Sequence, residues 1–428
     1  MTQPAMSQLE RSARWIDGRE PVQMQGLLSA TGGGIEAVGD RVALAEAFSN
    51  VVAFDTDDGL VVFDVSHSLF APSVIEALRA WSNAAVHTAV YTHGHTDHVT
   101  GAQAFDAEAA SRGDAKIRYV GHEAVAARFD RYQRTAGYNG VINMRQFRLP
   151  EPAWPTEYHY PEVTYRAAST IEVGALRFDL HHARGETDDH TWAWVPERRA
   201  LCVGDLFIWQ FPNAGNPQKV QRYAWDWTLA LRSMAALDAD LLLPAHGPAI
   251  GGSECIRTVL LDTARALESL HDQTLELMNA GARLDDVLHT VRLPADLADK
   301  PYLKPTYDEP EFVVRNLWRL YGGWYDGNPA HLKPARDADL ACEVAALAGG
   351  AEVLAARAEK LVVDGDLRLA CHLAEMAVQA EPESRRAHEV RAAVYEARRA
   401  TEAGFMASGI YRSAAIDSRG QVDRPDEA

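Results

Sequence analysis

No stretch of this 428-residue chain approaches the roughly 20 consecutive apolar residues that a membrane span needs. Residues 1–18 also lack the apolar run of about 7–15 residues that marks a secretory signal, so a cytoplasmic protein is expected. Cysteine is scarce. The four present (Cys202, Cys255, Cys342 and Cys371) form no CxxC pair, and the expectation is buried free thiols in a reducing compartment. Positive charge is short as well: 42 Lys and Arg stand against 60 Asp and Glu, for a formal net charge of −18. Nucleic-acid binding rests on clustered Lys and Arg against phosphate, so that partner is not expected. The same imbalance sets a condition on chemistry. An anionic substrate needs a local positive site to overcome the field of the whole protein.

What is present is ordinary for a globular protein, with 47% apolar and 24% charged residues. The length exceeds what one hydrophobic core usually fills, which points to two domains. Residues 1–40 read as a loop-rich N-terminal extension. Two short apolar runs follow, 50–54 and 60–65, separated by Asp57-Asp58-Gly59, which signals a hairpin. A helical segment spans 72–81, and the β-branched run 86–91 reads as a buried strand. The pattern returns with strands at 176–181, 191–195 and 200–203, the last two a hairpin around Pro196-Glu197-Arg198, and with 240–243 leading into Pro244-Ala245-His246-Gly247. Strands flanked by helices in alternation predict two sheets packed face to face with helices outside.

From about residue 251 the composition turns helical. Residues 336–405 are rich in Ala, Leu, Glu and Arg, and Leu369, Leu373, Met376 and Ala380 fall at helical spacing as a core-facing stripe. The segment 359–404, broken at Gly365-Asp366 and Glu381-Pro382, is barely more than one tetratricopeptide-type hairpin. A solenoid needs about three such repeats to bury its core, so this one must cover its apolar face on the rest of the chain or on a second subunit. The last stretch, 413–428, is polar and is expected to be a disordered tail.

The strongest chemical signal is His93-Gly94-His95-Thr96-Asp97-His98, directly after the strand 86–91. Two imidazoles one residue apart project to one side of an extended turn and can hold one metal. Asp97 and His98, one step on, can reach a second about 3.5–4 Å away, the usual two-metal separation. Small Gly94 and Thr96 permit the tight backbone. A chance occurrence is on the order of one in a thousand.

This cluster resembles the signature of the metallo-β-lactamase superfamily. The resemblance implies an α/β fold, an αββα sandwich, with three later ligands at strand ends. Gly204-Asp205 resembles the bridging aspartate motif, and Pro244–Gly247 the final histidine motif, giving Asp205 and His246. The remaining position is usually a histidine, but here the loop reads Gly185-Glu186-Thr187. Glu186 is taken as the ligand, with His190, four residues along, as its rival; His190 then stands behind the ligands or faces substrate. The ligand set is therefore His93, His95, Asp97, His98, Glu186, Asp205 and His246, with Asp97 and His190 in catalytic roles. Two divalent cations against three carboxylates and a bridging hydroxide leave the site neutral, which makes the hydroxide more basic and nucleophilic. Zinc suits the mixed nitrogen and oxygen donors best. His181 and His182 are expected to be structural, and His67, His87, His122 and His159 ordinary core or surface histidines.

A narrower resemblance joins the chain, from about residue 45 to 412, to the alkyl sulfatases. Residues 321–330 (Tyr-Gly-Gly-Trp-Tyr-Asp-Gly-Asn-Pro-Ala) and the Ala-rich helices after them are similar to their dimerisation region, and those enzymes also carry glutamate where Glu186 stands. The implied organisation is a catalytic domain at 41–295, a helical dimerisation domain at 296–412 and a homodimer. Two departures stand out. Those relatives carry glutamate where this chain has Asp205, and they end in a sterol-carrier-like domain that this sequence does not reach. The implied function is hydrolysis of alkyl sulfate esters by a metal-bound hydroxide. Lys219 and Arg222 offer an anion clamp beside Tyr223, Trp225 and Trp227, and Asn143 and Arg145 match a polar segment of that family. A hydrolase of a carboxylic ester, thioester or lactone is the alternative, with the metals polarising a carbonyl. A non-catalytic helical scaffold with a relic site is disfavoured, because all seven ligand positions hold competent residues.

Overall fold

The computed structural model describes residues 6–23, 34–147 and 149–423, and these fall into two compact units. The first comprises Met1–Ala136, Pro155–Ala282 and Asp286–Tyr321, and the second Gly137–Trp154, Arg283–Asp285 and Gly322–Ala428.

The first unit is built on two sheets. Strands β1 (Ile35–Gly39), β2 (Val42–Ala45), β3 (Val51–Thr56), β4 (Gly59–Phe63), β5 (Val86–Val90), β6 (Arg118–His122) and β7 (Val163–Tyr165) lie side by side in chain order. Strands β8 (Ala168–Val173), β9 (Leu176–His182), β10 (Thr191–Val195), β11 (Ala200–Gly204), β12 (Leu241–Pro244) and β13 (Ile250–Gly251) form the second sheet in the order β13-β12-β11-β10-β9-β8. The expected hairpin is β3–β4, with Thr56 opposite Gly59. Gly59 has φ +123°, a conformation that needs glycine, and the Thr56 hydroxyl donates to its carbonyl at 2.7 Å.

Alternation along the strands sorts the core. Val52, Phe54, Val61 and Phe63 meet Phe178, Leu180, Val195 and Leu243 of the opposite sheet. Val51, Ala53, Leu60 and Val62 instead face helices Ala71–Trp81 and Ala102–Arg112. Burial on both faces is why these strands read as continuous apolar runs. Helices Ala224–Ala235 and Ser253–Asn279 pack together and bury Trp227, Leu231, Leu260 and Leu267. The αββα sandwich predicted from the sequence is the observed one.

Helix crossovers make β4, β5 and β6 parallel, and β11 and β12 are parallel as well. Asp64 directly follows β4, His93 follows β5, Asp205 follows β11 and His246 follows β12. Chemistry thus gathers at the C-terminal ends of parallel strands, as in other layered α/β folds.

The second unit carries helices Asp337–Ala348, Ala351–Asp364, Leu367–Ala380, Arg385–Ala400 and Phe405–Val422. The break at Gly365-Asp366 is a glycine stop, φ +85°, followed by an Asp366 cap that accepts from the Leu369 amide at 3.2 Å. The core-facing stripe differs from the expected one. Ala370, Ala374, Ala377 and Val378 are buried, while Leu373, Met376 and Ala380 only pack against that core and Leu369 is 45% exposed. Small alanines let the helices approach closely, which moves the larger residues to the border.

Residues 405–422 form a helix where a disordered tail is expected from 413. Its Met406, Ala407, Gly409, Ala415 and Ser418 are buried, and these small residues give a weak apolar signal in the sequence. Residues 296–321, grouped with the helical region in the sequence reading, belong to the first unit. Part of the expected N-terminal extension is ordered: helix Gln8–Ile16 starts on a Ser7–Glu10 capping box, and Trp15 meets Trp209 edge to face. Residues 24–33 and 424–428 lie outside the described residues.

Candidate metal centre

The first histidine segment is held from both sides. After β5, the Thr92 amide and hydroxyl donate to the two carboxylate oxygens of Asp64 at 2.7 and 2.8 Å. Two residues on, the Gly94 amide donates to Asp189 at 2.9 Å. A Cβ at Gly94 would lie 2.8 Å from the Arg128 Cδ atom, so the close approach requires glycine. His95 then precedes the short helix Thr96–Val99, which presents Asp97 and His98.

The seven residues singled out as ligands come together in two groups. His93, His95, Glu186 and Asp205 form one; Asp97, His98 and His246 form the other; within each, the donor atoms lie within 4.8 Å of one another. Asp205 spans them: its Oδ2 is 3.8 Å from His93 Nε2, and its Oδ1 is 3.6 and 3.4 Å from the Nε2 atoms of His98 and His246. Three imidazoles are fixed through the other nitrogen. His93 Nδ1 meets the Thr92 hydroxyl at 3.1 Å, His98 Nδ1 meets Asp64 Oδ2 at 2.8 Å, and His246 Nδ1 meets the Phe48 carbonyl at 2.5 Å. Each therefore aims Nε2 inward, the arrangement that orients metal-binding histidines. His95 turns its Nδ1 inward instead, 2.8 Å from His93 Nε2.

The donor chemistry fits divalent cations. His98 Nε2 and Asp205 Oδ1 are buried and have no hydrogen-bond partner among the described residues, an arrangement that costs free energy unless an ion satisfies it. Four imidazoles and three carboxylates are a nitrogen–oxygen set of the kind zinc accepts. The field is divided as well. Burial, then His98 and His95, holds the His93 imidazole well below the usual range, so it stays neutral. Burial disfavours the His98 and His246 cations too, but Asp97 and Asp205 outweigh it, and His246 rises to about 9.

Glu186 and its rival are separated by geometry. His190 is fully buried, stacked on His93 at 4.9 Å, and its Nε2 accepts the Asp205 amide at 3.1 Å. It is closed off from solvent against the His93 ring rather than lying in an open pocket. Burial holds it neutral, down to about 4. Gly204, φ +51°, leaves room for this ring; a Cβ there would lie 2.6 Å from it.

The anion clamp also differs. Arg222 is buried, and its Nη1 donates to Glu186 at 2.6 Å and to the Asn213 carbonyl at 2.5 Å. Its guanidinium thus faces the Glu186 carboxylate. Lys219 lies within the electrostatic reach of Asp97 and Glu186, and burial, with Arg222 beside it, brings it down to about 8. The half-buried Tyr223 carries the Arg184 guanidinium 4.5 Å above its ring. Asn143 and Arg145 lie on helix Ala136–Phe147, within the second unit. His181 stacks on Trp192 and His182 on His122, the structural roles expected of both.

Sequence reasoning missed four contributors. Asp64 orients His98 and Thr92. Asn213 donates to Glu186. Arg128 is buried against Asp189 at 2.9 Å, and Asn50 donates to the Pro244 and Gly247 carbonyls at 3.0 and 2.7 Å, fixing the loop of His246. Only Asp64 left a signal, as a carboxylate ending an apolar strand.

Comparison with known proteins follows the same lines. Residues 44–246 match the family described as the metallo-beta-lactamase superfamily, and residues 283–421 match alkyl sulfatase dimerisation. A linear primary-alkylsulfatase from a Pseudomonas species is 26% identical over 364 residues, covering 79% of this chain and 68% of the relative. An alkyl/aryl-sulfatase of Saccharomyces cerevisiae, BDS1, is 25% identical, covering 81% of this chain and 58% of its own. This chain spans 57 to 68% of the length of the curated relatives it matches. The solved structure of the stereoselective inverting sec-alkylsulfatase Pisa1 from a Pseudomonas species superposes with a TM-score of 0.82 at 21% identity, over 92% of this chain and 67% of that one. A sandwich that matches along 44–246 and a helical region that matches along 283–421 together give this chain a metallo-beta-lactamase domain followed by a dimerisation region of alkyl-sulfatase type.

Proposed function

We propose that this protein is a metal-dependent hydrolase of alkyl sulfate esters that works with two divalent cations, and that these are zinc. The observation that carries the reading is the meeting of seven donors in two adjoining groups joined by Asp205. His93, His95 and Glu186 would hold one cation, Asp97, His98 and His246 the other, and Asp205 both. Cations bound there would supply Lewis acidity and acidify a water for attack. The chain's own residues set the rest. Asp64, Thr92 and the Phe48 carbonyl fix three imidazoles, His190 backs His93 and orients the Asp205 amide, and Lys219 supplies positive potential for a sulfate. The relatives that bear sulfatase names support the substrate class. The helical region would pair two copies in a cytoplasmic homodimer, as the match to a dimerisation family supports.

One observation favours a second reading. Arg222 gives its charge to Glu186, so the pocket is less cationic than its composition suggests, and an uncharged ester, thioester or lactone would also be accommodated. The test is a substrate panel with elemental analysis. Two divalent ions per chain and turnover of medium-chain alkyl sulfates are expected. Ester or lactone hydrolysis with no alkyl sulfate turnover would establish the second reading, and one ion or none in protein made with ample zinc would refute the two-metal site.

A further inference from the structure

The loop that follows Asp205 is tied down at both ends by residues far along the chain. Asp308 is fully buried and accepts the Gly215 amide at 2.5 Å and the Asn216 amide at 3.2 Å. Asn316, also buried, donates through Nδ2 to the Ala214 and Arg222 carbonyls at 2.9 and 2.8 Å. A Cβ at Gly215 would lie 2.3 Å from the Phe312 backbone, so the loop sits directly on helix Pro310–Gly322. The side chains at the two ends of this pinned segment, Asn213 and Arg222, both donate to the same oxygen of Glu186.

We infer that Arg222 is a positioning residue for Glu186, held in register by Asp308 and Asn316, and that it sets the metal affinity of the group containing His93 and His95. A glutamate reaches further than the histidine it replaces and has one more rotatable bond, so its carboxylate needs outside restraint to meet a cation in one geometry. Two donors on one oxygen provide that restraint, and the same oxygen, Oε1, is the one that lies 4.0 Å from His95 Nδ1. The planar guanidinium bridges Glu186 and the Asn213 carbonyl at once, a fork that lysine cannot reproduce. This rests on the reading of Glu186 as a ligand, and the experiment separates the two.

Zinc is titrated calorimetrically into the metal-stripped full chain, for wild type, Glu186→Gln, Arg222→Gln, Arg222→Lys and Asp308→Asn. Arg222→Gln is expected to weaken one of two zinc sites by roughly 10- to 100-fold, the range for residues that orient ligands. Arg222→Lys should recover only part of this, and Asp308→Asn should move the same site in the same direction by less. Because Asp308→Asn leaves the ligands and Arg222 in place, it decides the matter if Arg222→Gln does not fold. Turnover lost through misplaced metal falls equally on an alkyl sulfate and a neutral ester. Undiminished zinc affinity in Arg222→Gln, with KM raised for the alkyl sulfate alone, would restore the anion clamp and overturn the inference. Wild-type zinc binding in Glu186→Gln would instead overturn the ligand reading beneath it.

Discussion

Asp64 Oδ2 lies 2.8 Å from Nδ1 of His98, and both side chains are cut off from solvent. The same carboxylate takes the Thr92 amide and hydroxyl, so one buried group sets both the start of the histidine segment and the direction of its last imidazole. Asp64→Asn is expected to lower zinc affinity at the Asp97–His98–His246 group by roughly 10- to 100-fold. Calorimetric titration of metal-stripped protein checks this, and unchanged affinity would remove Asp64 from the site.

Metal removal has a pH signature. Without cations, Asp205 and Asp97 raise His246 to about 9 despite its burial, whereas an unfolded histidine titrates near about 6.5. A raised folded value adds stability that is complete below about 6.5 and is lost as pH rises through about 9. The melting temperature of the chelator-treated protein should therefore fall across that window, and His246→Gln should flatten the fall. Zinc must displace the same proton, so its binding should tighten over that window and release protons into the buffer.

Lys219 is brought down to about 8 by burial and by Arg222. If it meets the sulfate, KM for an alkyl sulfate should climb as pH passes about 8, with less change for a neutral ester. Lys219→Ala should lose about 10- to 150-fold in alkyl sulfate affinity, the worth of a hydrogen bond to a charged group. Steady-state kinetics on both substrates give the answer, and parallel losses would assign Lys219 a structural role.

Gly204 turns with φ +51° directly before Asp205 and leaves room for the His190 ring. Gly204→Ala combines a strained backbone with an atom 2.6 Å from that ring, so a loss of about 1–3 kcal/mol is expected. Urea unfolding measures it directly. A neutral result would mean that the ring shifts freely and does not back His93.

The layered fold and the two donor groups were legible because each rests on local pattern. Apolar runs mark the strands, and imidazoles and carboxylates sit immediately after them. The role of Arg222 is not legible for the opposite reason: its partner Glu186 is 36 residues away, and only the folded loop decides whether a cation meets a carboxylate or a substrate. The stripe at Leu369 slipped to Ala370 because helical periodicity locates a face but not which small residues form its centre. Residues 413–422 look like a tail in the sequence because close helix packing through Ala, Gly and Ser carries little hydropathy.

The Phe48 carbonyl that holds His246 is 198 residues away from it in sequence, and the two belong to segments beside different sheets. Bringing such distant segments together is slow, because the entropy of loop closure is spent before any contact rewards it. The full set of seven donors converges only when both sheets have docked, so a cation held by all of them would fasten one half of the sandwich to the other and raise the resistance to opening.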